Sequence, residues 1–302
     1  MRKLNKNVIA LILLFCFMAG FVTVAAQSLE QQLQYYDQQM YAQFSTMYSQ
    51  DSRYNGYLNE IAGNINSTIY QVFGEDKQIV FLVCPSRLGF NAVSFYRLII
   101  FDSLLLDSLR YLAMGKVYYG GLDNRYIDQL AYNVAKTSRS HQMGQDTTNY
   151  YDTANPFNLP PVGPLTAQQQ QQAAVLFKEM LASWMCHEGS HCMLDHIKIK
   201  LQRMAQSNQQ LSSQNDPRVF QNSVNQYMSA KINQELEKEA DTTATRWLLA
   251  SGYSVEGFVT WLKFAEKLEK ILGTENAYIR THPRCSERIK YIREAARQYG
   301  YK

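Results

Sequence analysis

Cysteine is sparse in this chain, five in 302 residues, and Cys16 falls in the N-terminal apolar run. The remaining four are Cys84, Cys186, Cys192 and Cys285. Cys186 and Cys192 would stand about 9 Å apart along a helix, which excludes a bond between them. Each would need Cys84 or Cys285 as its partner, and buried free thiols are the alternative. An excess of one charge is also missing. The formal charge of +4 falls to about +1 once Arg2, Lys3 and Lys6 are set aside, which excludes the basic footprint of a nucleic-acid binder. After residue 26 no apolar run is long enough to cross a bilayer, and no tandem repeat of helix pairs is found.

What is present starts with the compartment signal. Arg2, Lys3 and Lys6 precede an uncharged run of 19 residues from Val8 to Ala26, and Val24-Ala25-Ala26 before Gln27 fits a signal-peptidase site. The expectation is export to the periplasm or the exterior, with an uncleaved anchor as the alternative.

The chemistry lies in His187-Glu188-Gly189-Ser190-His191. Thr166 and Gln169 read as a capping box that starts a helix. Along it Ala173, Phe177, Met180, Trp184, His187 and His191 recur at four and three residues to form one apolar stripe. Two histidines four apart stand about 6 Å from each other on one face, the spacing that lets a helical turn hold zinc. Glu188, one step round, is placed to take a proton from a metal-activated water. For one histidine alone on a core face, a structural role would be the better reading; the pair with Glu188 between them reverses that preference.

A catalytic zinc site usually takes three protein ligands and leaves one position open. A long helix running up to Gly252 carries Glu237 and Asp241 on the same face as Ala244 and Leu248, while Glu235 and Glu239 point elsewhere. Carboxylates on an inward stripe are costly to bury unless a cation neutralises them. Glu237 is therefore assigned as the third ligand, and Asp241 as a residue that orients a ligating histidine through its other ring nitrogen. The alternative is a charge-rich solvated helix.

These blocks resemble the gluzincin metallopeptidases of family forty-eight, which include HtpX-like, Oma-type and CaaX prenyl protease enzymes. His187 to His196 looks like the family's zinc helix, including a further histidine five residues on. Glu237 to Asp241 with Ala244 is similar to its Glu-x-x-Ala-Asp-x-x-Ala block, and Thr281-His282-Pro283 with Arg288-Ile289 to its C-terminal signature. The resemblance implies a zinc metalloendopeptidase with one zinc per chain and polypeptide substrates, unfolded or damaged envelope proteins among them. It also implies that His282 and Arg288 lie near the metal, to stabilise an oxyanion or order the site, and that Asn91, Ala92, Val93 and Ser94 form an edge strand on which substrate backbone pairs. Here Ser94-Phe95-Tyr96-Arg97 replaces the family's Pro-Gly-Gly-like turn.

The expected fold is helix-dominated α+β: a zincin-type domain with a small sheet edging the cleft. Residues 1–26 form the signal and 27–302 one domain, with N-terminal helices at 27–74, an insertion at about 107–165 and the zinc-site core at 166–302. Leu29, Leu33, Tyr36, Met40, Phe44 and Met47 make one helical stripe. Tyr54 to Phe73 forms a second helix, and strands are expected at Gln78 to Cys84 and Tyr96 to Phe101. The insertion holds a helix from Tyr126 to Lys136 and a loop from Thr137 to Pro164. His141 in that loop is a candidate latency ligand for the open position of the zinc. A non-proteolytic exported chaperone or interaction module with structural zinc is the alternative function, and no residue pattern specifies an oligomer.

Overall fold

The computed structural model describes residues 29–48, 52–75, 77–84, 92–142, 155–200, 202, 231–273 and 283–300. In chain order these give α1 (Leu29–Tyr48), α2 (Ser52–Ser67), α3 (Ile69–Phe73), β1 (Val80–Cys84), β2 (Ala92–Ser94) and β3 (Leu98–Asp102), followed by α4 (Ser103–Tyr119), α5 (Arg125–Gln142), α6 (Ala167–Met193), α7 (Lys231–Ala250), α8 (Glu256–Leu272) and α9 (Cys285–Gln298). The architecture is helix-dominated α+β with one three-stranded sheet, as the sequence implies.

The sheet runs β1-β3-β2. β1 lies parallel to β3, with Val80 opposite Leu98, and β2 lies antiparallel to β3, with Ala92 opposite Phe101 and Ser94 opposite Ile99. Successive side chains alternate between faces. Phe81, Val83, Ile99 and Phe101 enter the main core, whereas Leu82, Cys84, Leu98 and Ile100 meet Met40 of α1 on the other side. Both faces are covered, which explains why β1 and β3 read as unbroken apolar runs. Ala92, Val93 and Ser94 form the edge strand as expected; Asn91 lies outside the described residues.

α6 is the central rod. Its capping box forms as the sequence specifies: the Thr166 hydroxyl accepts from the Gln169 amide at 3.2 Å, and the Gln169 side chain accepts from the Thr166 amide at 3.0 Å. The stripe from Ala173 to His191 is buried, and from Met180 to Cys186 every side of the helix is buried, so α6 is surrounded rather than laid on a surface. Two glycines set its neighbours' distances. A Cβ on Gly189 would stand 2.6 Å from the Trp247 ring of α7, and one on Gly257 of α8 would stand 2.4 Å from the Glu179 backbone.

Two boundaries differ from expectation. The helix expected from Tyr54 to Phe73 is broken at Thr68, whose hydroxyl donates to the Ile65 carbonyl at 2.9 Å and accepts from Trp247 Nε1 at 3.0 Å. α5 continues past Lys136 to Gln142, so Thr137 to Gln142 is helix, not loop. The stretch read as an insertion from about residue 107 is built into the core: Leu109, Leu112 and Ala113 of α4, with Ile127, Leu130 and Val134 of α5, are fully buried. An apolar face at helical spacing, not the length of the link, decided their place.

Candidate metal centre

α6 and α7 cross so that His187, His191 and Glu237 converge, with one ligand-type atom from each lying within 4.8 Å of the others. His187 Nε2 stands 3.3 Å from one Glu237 oxygen and His191 Nε2 stands 3.4 Å from the other. All three residues are buried, Glu237 to 5% exposure. On α7 the inward pair is Glu237 and Asp241, while Glu235 and Glu239 are exposed, as the face count implies.

The other ring nitrogens decide what those contacts mean. Asp241 Oδ1 lies 3.0 Å from His187 Nδ1, and Arg288 of α9 donates to the same carboxylate through Nε at 2.9 Å and Nη2 at 2.8 Å. Burial alone would raise the Asp241 pKa, but the guanidinium and His187 outweigh it and hold the carboxyl below its ordinary value. An ionised Asp241 can only accept, so His187 carries its hydrogen on Nδ1 and turns the Nε2 lone pair toward Glu237. Lone pair then faces carboxylate, an arrangement that calls for a cation or a proton between them. Without a metal the proton takes that place. Burial and the Arg288 charge both oppose it, yet the Asp241 and Glu237 carboxylates prevail and lift the His187 pKa to about 9. Two imidazole nitrogens and one carboxylate, buried and converging, make a donor set that fits zinc.

His196 is the residue that sequence reasoning noted without giving it a role. Its Nδ1 lies 2.8 Å from His191 Nδ1, and its Nε2 lies 3.5 Å from Glu239. On a continuous helix, five residues would carry His196 about 140° round from His191. α6 instead ends at Met193, and Asp195 takes a left-handed backbone, φ 53°, so the next helical turn starts in a new direction and folds His196 back. Burial, reinforced by the neighbouring His191, lowers the His196 pKa to about 3.

Glu188 is half-buried one step round α6 from His187. The edge strand is tied to the same end of that helix. Arg97, in the turn between β2 and β3, donates to the Cys192 carbonyl at 2.6 Å, and Cys192 Sγ donates to the Phe95 carbonyl at 3.3 Å. A guanidinium on the last carbonyls of α6 also suits the negative end of the helix.

His282 lies outside the described residues, as do residues 1–28. His141 is in the last turn of α5 rather than in a loop, and its side chain lies outside what is described. Arg288 reaches the centre, but its guanidinium is engaged with Asp241, with Nη2 also 3.4 Å from His187 Nδ1. Cys84, Cys186, Cys192 and Cys285 are all buried free thiols, so neither disulfide arrangement is present. Burial pushes the Cys186 and Cys192 thiols well above their ordinary value, away from reactive thiolate.

A central HExxH-bearing helix, a crossing helix that delivers a carboxylate, and a small edge sheet together frame a candidate metal-binding site. Residues 176–296 match the sequence model of Peptidase family M48, whose members are zinc-dependent metallopeptidases. The matched segment contains His187, Glu188, His191, Glu237, Asp241 and Arg288. No curated protein and no solved structure matches the chain.

Proposed function

We propose that this protein is a zinc metalloendopeptidase. The observation that carries the reading is the convergence of His187, His191 and Glu237 from two helices, one ligand-type atom from each within 4.8 Å of the others, beside the half-buried Glu188. His187, His191 and Glu237 would hold one zinc ion, which when bound polarises the scissile carbonyl and acidifies water. Glu188 takes a proton from the attacking water and delivers it to the leaving amine nitrogen. β2, the outer strand beside β3 among the described residues, offers an edge to an extended substrate backbone, and the Arg97 and Cys192 contacts keep that edge in register with His191. Asp241 orients His187. Arg288 acts through Asp241 as a positioning residue rather than as a direct partner of the oxyanion, a place left to His282.

The substrates are unfolded or damaged polypeptides of the cell envelope. The basic N-terminus and the apolar run to Ala26 support export, and no helix among the described residues is long and apolar enough to cross a membrane. The test compares wild type with Glu188→Gln for zinc content and for cleavage of unfolded casein. Glu188→Gln is expected to keep one zinc per chain and to lose about 10²–10⁴-fold in turnover. Equal cleavage by the two proteins would remove Glu188 from the mechanism. Zinc in both with cleavage by neither would favour a structural centre in a non-proteolytic protein.

A further inference from the structure

We propose that His196 is a positioning residue of the centre: it accepts the Nδ1 hydrogen of His191 and so fixes the tautomer and ring direction in which His191 Nε2 can bind the metal. The inference rests on the zinc reading above and concerns a residue outside the three ligands.

The two converging histidines need the same thing and obtain it differently. To offer Nε2 to a cation, each ring must carry its hydrogen on Nδ1, and that hydrogen needs an acceptor inside the protein. His187 has an anionic acceptor, Asp241, itself held by Arg288. His191 Nδ1 instead lies 2.8 Å from His196 Nδ1. A contact of that length between two ring nitrogens requires one to donate and the other to accept. If His196 were the donor, the hydrogen of a neutral His191 would sit on Nε2 and point at the metal position. With His191 as donor, Nε2 is free for the metal and the His196 hydrogen sits on its own Nε2, toward the Glu239 carboxylate at 3.5 Å. Only this second assignment suits a metal centre. His196 is 1% exposed, so water does not replace it as acceptor, and the left-handed Asp195 fixes the turn that carries it.

The assignment separates the two ligands chemically. An anion polarises His187 and makes it the stronger donor, whereas a neutral imidazole leaves His191 the weaker one. Loss of the His196 acceptor therefore acts on metal binding itself, before any catalytic step.

The experiment measures the zinc dissociation constant of the full-length protein by competition with a chromophoric chelator, in wild type, His196→Ala, His196→Phe and His196→Asn. Melting of the metal-free proteins identifies any variant that fails to fold, and cobalt-loaded spectra report ligand geometry. Ala and Phe are expected to weaken zinc binding about 10–100-fold and to shift the cobalt spectrum. Asn, whose amide oxygen accepts a hydrogen bond, should recover most of both. If His196→Ala does not fold, the comparison of Phe with Asn decides. Zinc affinity in Ala or Phe equal to wild type, or equal loss in Phe and Asn, would overturn the role of His196 while leaving the zinc reading in place. A wild type that takes up no zinc would overturn both.

Discussion

Asp241 shows how one buried carboxylate serves two partners. It accepts two hydrogen bonds from Arg288 and the Nδ1 hydrogen of His187, with no exposure to solvent. Removing its charge leaves the Arg288 guanidinium buried against a neutral group, and breaking such a pair costs about 3–5 kcal/mol. Asp241→Asn should lower the stability of the metal-free protein by about that much in urea. Replacing both partners by apolar residues, Asp241→Leu with Arg288→Met, should return most of the stability, because no charge is stranded. Zinc affinity should stay low in the double variant, since His187 has lost its acceptor. If the double variant is no more stable than the single one, the cost does not come from a stranded charge.

Between elements, a close approach and a clamp set the geometry. Gly189 lies inside the histidine motif, and the group it makes room for is the indole of Trp247, which donates to the Ile65 carbonyl at 2.8 Å. The glycine thus serves the crossing of α6 and α7, on which the meeting of the histidines with Glu237 depends. Gly189→Ala gains about 1 kcal/mol of helix propensity but overpacks the crossing, for a net loss of up to about 2 kcal/mol. A fall in zinc affinity should accompany it; an unchanged chemical-denaturation midpoint would show that Trp247 can give way.

The clamp is α1. Asp37 accepts from the Tyr96 amide at 3.0 Å and the Arg97 amide at 2.5 Å, holding the turn of the edge hairpin. Burial is the largest influence on this carboxyl and raises its pKa from 3.8 to about 6, against the pull of those amides and of Arg97. The folded state therefore binds the proton more tightly than the unfolded chain, and this residue adds stability as pH falls through about 6 toward 3.8. Between pH 7 and 5 the wild type should gain relative to Asp37→Asn, read as the difference in their urea midpoints. Parallel midpoints at the two pH values would exclude the effect.

On the scale of the whole molecule, the centre joins α6, α7 and α9 across one core, so occupying it should stabilise the fold rather than a single loop. A ligand present at about a thousand times its dissociation constant adds about 4 kcal/mol, which for a domain of this size is of order 10 °C in Tm. Chelation should lower the melting temperature by that order, and zinc should restore it. Identical melting with and without chelator would contradict a native-state zinc site. Three buried thiols, Cys186, Cys192 and Cys285, lie in the same core, Cys285 donating to Glu269 at 2.9 Å and Cys192 bound to the edge hairpin, while Cys84 faces α1 across the sheet.

Local chain chemistry is enough to place the capping box at Thr166, the inward face of α6, the inward pair Glu237 and Asp241, and the continuous apolar strands. Each follows from a period or cap acting within a few residues of itself. Spacing likewise sets His187 and His191 on one face. Tertiary packing decided the rest. That Gly189 yields to Trp247, that α4 and α5 pack into the main core, and that Arg288 reaches Asp241 depend on residues far apart in the chain. His196 is the clearest case. Helical spacing alone turns it away from His191, and only the end of α6 with the left-handed Asp195 brings the two rings together. A period describes one element, but the direction in which the chain leaves that element is set by what packs beyond it.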